Sequence, residues 1–316
     1  MRTLSMLVAA LTFAFSVSAA EYTVGFAQTG AESMWRTANT DSIKAEAAKR
    51  GIKLVFSDAQ QKQENQIKAI RSFIAQGVDI IGFPPIVGSG WEPVLQEAKD
   101  AGIPVITTDR RVDTSDDSLF LAFLGSDFVA EGEMAANWLV RELGCDQTAE
   151  VFELVGVVGA APSIDRKKGF ENVIARYPGI KIVKSQTGEF TRAKGKEVME
   201  AYIKSPEWSN AKRRVVYGHN DDMVLGAIQA MEEAGINPGK EAILIGIDGV
   251  SDAFQAIVEG KMHCTVECNP LLGPQFFDLV DEVMSGKEIP REVFSIDGTY
   301  DYYCAPALLS WRKTLY

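Results

Sequence analysis

The sequence predicts an α/β protein made of two Rossmann-like lobes, each with a doubly wound parallel sheet. Apolar strand-like runs alternate with segments of helical spacing along most of the chain, a pattern typical of parallel sheets covered by helices. The alternation breaks near Gly125 and Ser126 and then starts again. A length of 316 residues is enough for two domains with substantial cores.

The first set of elements precedes this break. Its strands are rich in β-branched and aromatic residues, and several of its helices are expected to end at a glycine. The predicted strands cover 22–27, 53–57, 79–83, 104–107 and 120–124, and the predicted helices cover 34–50, 61–76 and 93–101.

The second set begins at Asp127, which can cap the first turn of a helix. Its predicted strands cover 150–154, 180–185, 214–218 and 242–247, and its predicted helices cover 128–142, 164–177, 192–205 and 223–234. The tail is expected to contain helices over 251–259 and 274–285, a strand over 263–267 and an irregular β-like run over 293–303.

The first twenty residues predict a cleaved export signal. Arg2 provides a positive start, the apolar run 6–17 is too short to cross a bilayer, and residues 18–20 are small, as signal peptidase requires. A buried N-terminal helix is the alternative, but a strand-like segment follows at once. No cysteine lies at the cleavage site, which argues against a lipid anchor there.

The charge of the chain excludes some partners. Without the predicted signal and its Arg2, 31 basic residues face 43 acidic ones, a net charge of −12. Such a surface argues against nucleic acid or an anionic membrane as a partner.

The spacing of the four cysteines leaves few possible disulfide pairs. Cys264 and Cys268 lie four apart in a predicted strand, so their Cα atoms would be roughly 13 Å apart, too far for a bridge. Cys304 could pair with either of them, whereas Cys145 has no obvious partner. A metal site formed with His263 is a further alternative, but the spacing matches no common zinc pattern.

Polar and aromatic residues follow the predicted strands at the ends where a ligand cleft forms. Because the carboxyl ends of parallel strands face one crevice, these residues can converge on one ligand. Carboxylate, amide and guanidinium groups bind hydroxyls, and aromatic rings offer flat apolar faces, so we expect a sugar. The candidate ligand-binding residues are Ser33, Trp35, Arg36, Asp109, Arg110, Arg166, Phe190, Asn220 and Asp248.

Four strand-end motifs carry a family resemblance over nearly the whole chain: TTDR at 107–110, DRKKGF at 165–170, HNDDMVLGA at 219–227 and GIDGVSDA at 246–253. The chain resembles the periplasmic sugar-binding proteins of the ribose-binding type, which serve ABC transporters. Further stretches resemble the galactofuranose-binding members of that group, namely ESMWR at 32–36, the run 60–79, GWEPVL at 90–95 and GEFTRAKGKEVME at 188–200.

The resemblance implies a type I periplasmic binding fold with a three-segment hinge near 125–126, 264–268 and 296–302. The first lobe is then expected to contain 21–125 and 268–296, and the second 126–267 and 297–316. It also implies a periplasmic monomer without cofactor that binds a monosaccharide and delivers it to the permease subunits of an ABC importer.

Individual roles follow from the same resemblance. The aromatic ring of Trp35 is expected to face the sugar with Ser33 and Arg36 beside it, and the remaining candidates are expected to reach the sugar from both lobes. Cys268 stands where ribose binders place a glutamine, which argues against ribose itself. The stretches above make galactofuranose the expected ligand, with another pentose or hexose such as arabinose, galactose or ribose as alternatives. Ligand contact by Glu32, Glu267 or Asn269 is left open.

Other readings remain for single residues and for the whole chain. Trp35 could anchor its helix, and Asn220 could cap the helix that follows it. His219 with Asp221 or Asp222 could act as a general base, but GxSxG and Walker motifs are missing and GFAQTG at 25–30 lacks a third glycine. A regulator of similar fold would need a DNA-binding helix-turn-helix before the first strand, where the export signal lies.

Overall fold

The computed structural model describes residues 22–316, so the predicted export signal lies outside the described residues. The first lobe contains one six-stranded sheet. Its strands are β1 (Thr23–Gln28), β2 (Lys53–Asp58), β3 (Ile80–Phe83), β4 (Val105–Thr108), β5 (Ala122–Gly125) and β11 (Glu292–Phe294). Its helices are α1 (Met34–Arg50), α2 (Gln63–Gln76), α3 (Glu92–Asp100) and α11 (Gly273–Met284), with a 3-10 turn at Asp117–Leu119.

The second lobe contains the other six-stranded sheet. Its strands are β6 (Ala149–Val155), β7 (Ile180–Thr187), β8 (Arg214–Gly218), β9 (Ala242–Asp248), β10 (Cys264–Glu267) and β12 (Thr299–Asp301). Its helices are α4 (Phe128–Leu143), α5 (Ala161–Ile174), α6 (Arg192–Ile203), α7 (Pro206–Asn210), α8 (Asp221–Glu233), α9 (Pro238–Glu241), α10 (Ser251–Val258) and α12 (Ala305–Arg312).

The strand orders are β11-β5-β4-β3-β1-β2 and β12-β10-β9-β8-β6-β7. All neighbours are parallel except β10 and β12, which are antiparallel. In each sheet the chain reverses its direction of travel beside its first strand, β1 or β6. A ligand crevice forms at such a switch point, outside the carboxyl ends of the strands. The predicted doubly wound fold class is therefore confirmed.

Within 22–316, no helix is long and apolar enough to span a membrane.

The chain passes between the two sheets three times: after β5, after β10, and between β11 and β12. The crossings contact one another. Ser126 Oγ lies 2.8 Å from Ser295 Oγ, and the backbone N–H of Asn269 donates to the Asp297 carboxylate at 3.3 Å. This arrangement supports the predicted hinge and lobe division, whose boundaries stay a prediction.

The tail differs from the sequence prediction. The expected irregular run resolves into the two short strands β11 and β12, and the helix α12 was not predicted. This helix is held by Arg312, which is fully buried and donates to Glu267 Oε1 at 2.8 Å. The guanidinium also lies about 5 Å from the ring centroids of Phe254 and Tyr300, close enough for cation–π attraction.

The predicted pairing of Cys304 with Cys264 or Cys268 is not formed, and all four cysteines are free. Cys264 lies opposite Asp301 in the β10–β12 ladder. Cys304 instead folds back on its own turn, where its Sγ accepts from the Asp301 N–H at 3.3 Å. In the described part of the chain, no cluster of His, Cys, Asp and Glu could hold a metal ion, so the alternative zinc site is also not formed.

Helices α4 and α5 pack with their backbones almost in contact, which positions the α5 residue Arg166. A Cβ at Gly132 of α4 would lie 2.2 Å from the Arg166 carbonyl oxygen, and one at Gly169 of α5 would lie 2.0 Å from the Val129 carbonyl. Both obstacles are backbone atoms, so neither can rotate away. Glycine is therefore needed on both helices.

We expect Gly132→Ala to lower the free energy of unfolding by about 1–3 kcal/mol, because the added methyl group forces the two helices apart. Thermal unfolding followed by circular dichroism measures the effect. Asn137→Ala, at an exposed position of the same helix, serves as the control and should leave the midpoint unchanged or slightly raised. Equal midpoints for Gly132→Ala and the wild type would contradict the proposed close packing.

Candidate ligand-binding site between the lobes

A small cavity lies between the two lobes at the carboxyl ends of both sheets. All nine residues predicted from the sequence line it. The lining consists of Glu32, Ser33, Trp35, Arg36, Asp109, Arg110, Pro162, Arg166, Phe190, Asn220, Asp248 and Cys268. Residues from separate strand ends of both lobes therefore converge as predicted.

The start of α1 places three of these residues. Ser33 caps the helix, with its Oγ accepting from the Arg36 N–H at 3.1 Å. Trp35 is buried and its Nε1 donates to the Cys268 carbonyl at 2.6 Å. Trp35 thus both lines the cavity and ties the first helix to the second hinge crossing. The anchoring role is confirmed, and contact with a ligand stays a prediction.

Two arginines and two carboxylates form the wall of the first lobe. Arg36 Nη2 lies 2.5 Å from Asp109 Oδ2, and Arg36 Nε lies 3.0 Å from Glu32 Oε1. Arg110 Nη2 lies 3.5 Å from the same Glu32 oxygen, and Arg110 Nη1 donates to the Ile86 carbonyl at 3.0 Å. Each of these four charged side chains is at most 5% exposed.

Arg166 provides the positive charge of the second lobe. Its Nε lies 2.7 Å from Glu131 Oε2, its Nη1 donates to the His219 carbonyl, and its Nη2 lies 3.7 Å from Asp248 Oδ1. Burial raises the pKa of Glu131 to about 7, although the charge of Arg166 acts in the opposite direction. Burial likewise raises the pKa of Asp248 well above its usual value.

Asn220 and Phe190 form a further part of this wall. Asn220 caps α8, with its Oδ1 accepting from the Met223 N–H at 3.0 Å, and its Nδ2 donates to the Phe190 carbonyl at 3.0 Å. The Phe190 ring packs over Gly156, where a Cβ would lie 1.9 Å from the ring. The capping role that the sequence suggested for Asn220 is confirmed, and the same residue lines the cavity.

Three lining residues have backbone conformations that non-glycine residues rarely adopt. The φ angles of Asp109, Phe190 and Asp248 are 58°, 62° and 129°. Such conformations cost about 1–3 kcal/mol each and cluster at binding sites. Asp109 directly follows β4, Asp248 ends β9 and Phe190 lies three residues beyond β7, so the unusual backbone occurs where the chain turns at the cleft.

The cavity offers both hydrogen-bond donors and acceptors. Three arginines and three carboxylates line it, and burial raises the pKa of one of these carboxylates, Asp248, well above its usual value. Hydroxyl groups both donate and accept, and they match such a surface. The chemistry of the site therefore suits a small neutral polyol.

The lobes also touch outside the cavity. The Gly88 N–H of the first lobe donates to the Gly159 carbonyl of the second at 2.9 Å. On another side, the N–H of Met34 at the start of α1 donates to Asp222 Oδ2 of the second lobe at 2.8 Å. Arg192 donates to the other Asp222 oxygen at 3.0 Å and holds it in place. The structure is therefore a closed form.

His219 does not line the cavity. It is fully buried, and its Nε2 lies 3.1 Å from Glu153 Oε1 rather than beside the neighbouring aspartates. Asp221 accepts hydrogen bonds from Thr265 Oγ1 and the Val250 N–H. His219 is therefore part of the buried core, and its proposed pairing with Asp221 or Asp222 as a general base is not formed.

The sequence reasoning left Glu32 open and did not name Pro162. Glu32 directly precedes Ser33, and Pro162 lies four residues before Arg166. Closeness in the sequence to a predicted site residue was therefore the signal that could have found them. Glu267 and Asn269 do not line the cavity; Glu267 is held by Arg312 and by the Tyr300 hydroxyl.

Comparisons with known proteins agree with this geometry. The profile of the periplasmic binding protein domain matches residues 24–288. The chain is 49% identical to the galactofuranose-binding protein YtfQ of Escherichia coli K12, over 91% of each chain.

Two solved structures are similarly close. The binding component of an arabinose ABC transporter from Shewanella sp. ANA-3, bound to α- and β-L-arabinofuranose, is 49% identical with a TM-score of 0.89, covering 92% of this chain and 96% of that one. A structure from Mycobacterium smegmatis in complex with β-D-fucofuranose is 49% identical with a TM-score of 0.89, covering 93% and 95%. The resemblance seen in the sequence is thus confirmed.

Proposed function

The chain belongs to the family of periplasmic binding proteins, and we propose that it captures a furanose sugar between its lobes and delivers it to an ABC permease. Galactofuranose is the first candidate. The protein performs no chemistry on the sugar, works as a monomer and is exported to the periplasm by the N-terminal signal.

One observation carries this proposal: a small cavity, lined from both lobes by buried hydrogen-bond donors and acceptors, at the switch points of both sheets. A neutral sugar supplies the hydroxyls that its buried donors and acceptors require. A sugar that lacks one of these hydroxyls leaves a buried polar group of the cavity without a hydrogen-bond partner, which costs about 1–3 kcal/mol of binding free energy. Such a site discriminates between closely similar sugars.

The furanose assignment comes from the relatives. The three named proteins bind galactofuranose, arabinofuranose and fucofuranose, and each is 49% identical to this chain. These sugars share a five-membered ring and differ in the chain outside it.

The binding step is coupled to closure of the lobes. Asp109 and Arg110 belong to the first lobe and Arg166 and Asn220 to the second, so a ligand reaches both sets only when the lobes are together. A ligand stabilises the state to which it binds more tightly. Hinge closure around a ligand is thus the expected mechanism, and the permease would receive the closed form.

A thermal-shift screen across pentoses and hexoses tests the sugar class. We expect D-galactose, L-arabinose and D-fucose, which all have furanose forms, to raise the unfolding midpoint, because a ligand that binds the native state stabilises it. Isothermal titration with methyl β-D-galactofuranoside and its pyranoside checks the ring size. A preference for the pyranoside, or no response to any neutral sugar, would contradict the assignment.

Asp109→Asn should weaken binding of the best sugar at least tenfold, because the amide keeps the shape but loses a charged acceptor. Isothermal titration measures the affinity. Asp113→Asn, an exposed position of the same loop, is the matched control and should bind normally. Unchanged affinity in Asp109→Asn would remove this residue from the site.

Asp222→Asn should weaken binding of every sugar by the same factor, about three- to tenfold, since its carboxylate faces the positive start of α1 only in the closed form. Asp252→Asn is the control, because Asp252 also pairs with Arg192 but not with Met34. Titration of two sugars into each variant shows whether the loss of affinity is the same for both sugars. Loss of affinity for one sugar alone, or an equal effect in Asp252→Asn, would show that no closing contact is involved.

A further inference from the structure

Glu131 is a fully buried carboxylate behind the cavity wall of the second lobe. It belongs to α4 and does not line the cavity, whereas its partner Arg166 on α5 does. Glu131 Oε2 accepts from Arg166 Nε at 2.7 Å. The ring centroid of Phe128, also on α4, lies 5.0 Å from the guanidinium carbon of Arg166, close enough for cation–π attraction. Helix α4 thus holds the Arg166 side chain with a charge and an aromatic face.

These contacts determine which nitrogen of Arg166 remains for a ligand. Nε is bound by Glu131, and Nη1 donates to the His219 carbonyl. Nη2 lies 3.7 Å from Asp248 Oδ1 at the cavity wall, beyond hydrogen-bond distance. Because a guanidinium is planar and rigid, fixing two of its nitrogens also fixes the direction of the third. Glu131 therefore orients Arg166 from outside the cavity.

The second oxygen of Glu131 makes this carboxylate sensitive to pH. Oε1 is buried and has no hydrogen-bond partner among residues 22–316, and such an oxygen disfavours the ionised form. Burial raises the pKa of Glu131 to about 7 against the charge of Arg166, and the carboxylate of Asp297 adds to the effect of burial. A proton on Oε1 leaves Oε2 free to accept from Arg166. Protonation therefore removes the charge while the contact stays.

The surroundings of Glu131 come from several elements. The titratable and charged groups that face it are Arg166 on α5, Asp248 at the end of β9, Tyr217 on β8, Cys268 in the second hinge crossing and Asp297 in the third. Burial raises the pKa of both Tyr217 and Cys268 well above the usual values, so neither of them loses its proton near neutral pH. The positive charge beside Glu131 is that of Arg166.

Closure of the lobes brings a second positive charge toward Arg166. Burial lowers the pKa of Arg110 of the first lobe, and the charges of Arg36 and Arg166 lower it further. The negative charge of Glu131 behind Arg166 offsets this repulsion, whereas a protonated Glu131 does not. The closed form therefore favours the ionised carboxylate more strongly than the open form does.

We propose that Glu131 is a positioning residue: its negative charge orients Arg166 and favours closure, so that the affinity for a neutral sugar falls in mildly acidic medium. This inference rests on the proposed sugar-binding function. The sign follows from linkage. A group whose pKa is lower in the sugar-bound closed form adds affinity at high pH, and this affinity is lost as the pH falls through its pKa.

Isothermal titration of D-galactose and L-arabinose between about pH 5.5 and about pH 8.5 measures the effect. We expect the wild type to bind the sugar that it prefers about three- to tenfold more weakly at the acidic end, with a midpoint near 7. Glu131→Gln keeps the size of the side chain and an oxygen that can accept from Arg166, but it has no charge to lose. It should bind this sugar at every pH as weakly as the wild type does at the acidic end.

Glu133→Gln is the matched control. Glu133 belongs to the same helix and also contacts α5, where it accepts from Asn172 Nδ2 at 3.3 Å, but this contact lies at the surface. The variant should keep the pH profile of the wild type. Asp297→Asn is a second test, because removal of this neighbouring charge should lower the pKa of Glu131 and move the midpoint to lower pH. Thermal midpoints at both ends of the pH range verify that each variant is folded.

Four results overturn the proposal. These are a wild-type affinity that does not change with pH, a pH dependence in Glu131→Gln as steep as in the wild type, a Glu133→Gln profile equal to that of Glu131→Gln, or an unchanged midpoint in Asp297→Asn. If Glu131→Gln does not fold, the profiles of the wild type and Asp297→Asn still decide. Failure of the proposed function is a different result, in which the wild type binds neither sugar at any pH.

Discussion

The burial of three arginine side chains in one interlobe cavity is the constraint on which the site depends. A guanidinium removed from water costs several kcal/mol unless carboxylates and hydrogen bonds compensate it. Each lobe provides its own compensation: Arg36 and Arg110 pair with first-lobe carboxylates, and Arg166 pairs with second-lobe carboxylates. No ion pair of the lining described above crosses the cavity. The lobes can therefore separate without breaking one.

Arg110 of the first lobe and Arg166 of the second repel each other across the cleft. Burial lowers the pKa of Arg110, and the neighbouring charges of Arg36 and Arg166 act in the same direction. Direct contacts that favour closure include the Gly88–Gly159 backbone bond, the Asp222 carboxylate on the start of α1, and the Arg110 guanidinium 5.3 Å from the centroid of the Phe190 ring. A ligand that accepts hydrogen bonds from both lobes is thus the natural means of stabilising the closed form, because it offsets repulsion that the protein leaves in place.

Sequence reasoning reached most of the site because a simple topological rule governs it. Asp109, Phe190, Asn220 and Asp248 each end or follow a parallel strand, and the fold brings all such ends to one crevice. The tail could not be predicted in the same way. Strands β11 and β12 have three residues each, too few to show a period of two. The state of Cys304 depends on the register of the β10–β12 ladder, which no local pattern encodes. The place of Glu32 in the cavity wall depends on its contacts with Arg36 and with the distant Arg110, which the sequence does not show.

A crystal structure with bound sugar tests the central claim most directly. The account predicts one furanose ring enclosed between the lobes. Its hydroxyls should contact Arg36 or Asp109 of the first lobe and Arg166 or Asn220 of the second in the same molecule, with the hinge segments as they are in the closed form. A sugar held by one lobe alone, or bound outside this cavity while the three arginines stay paired as they are here, would contradict it.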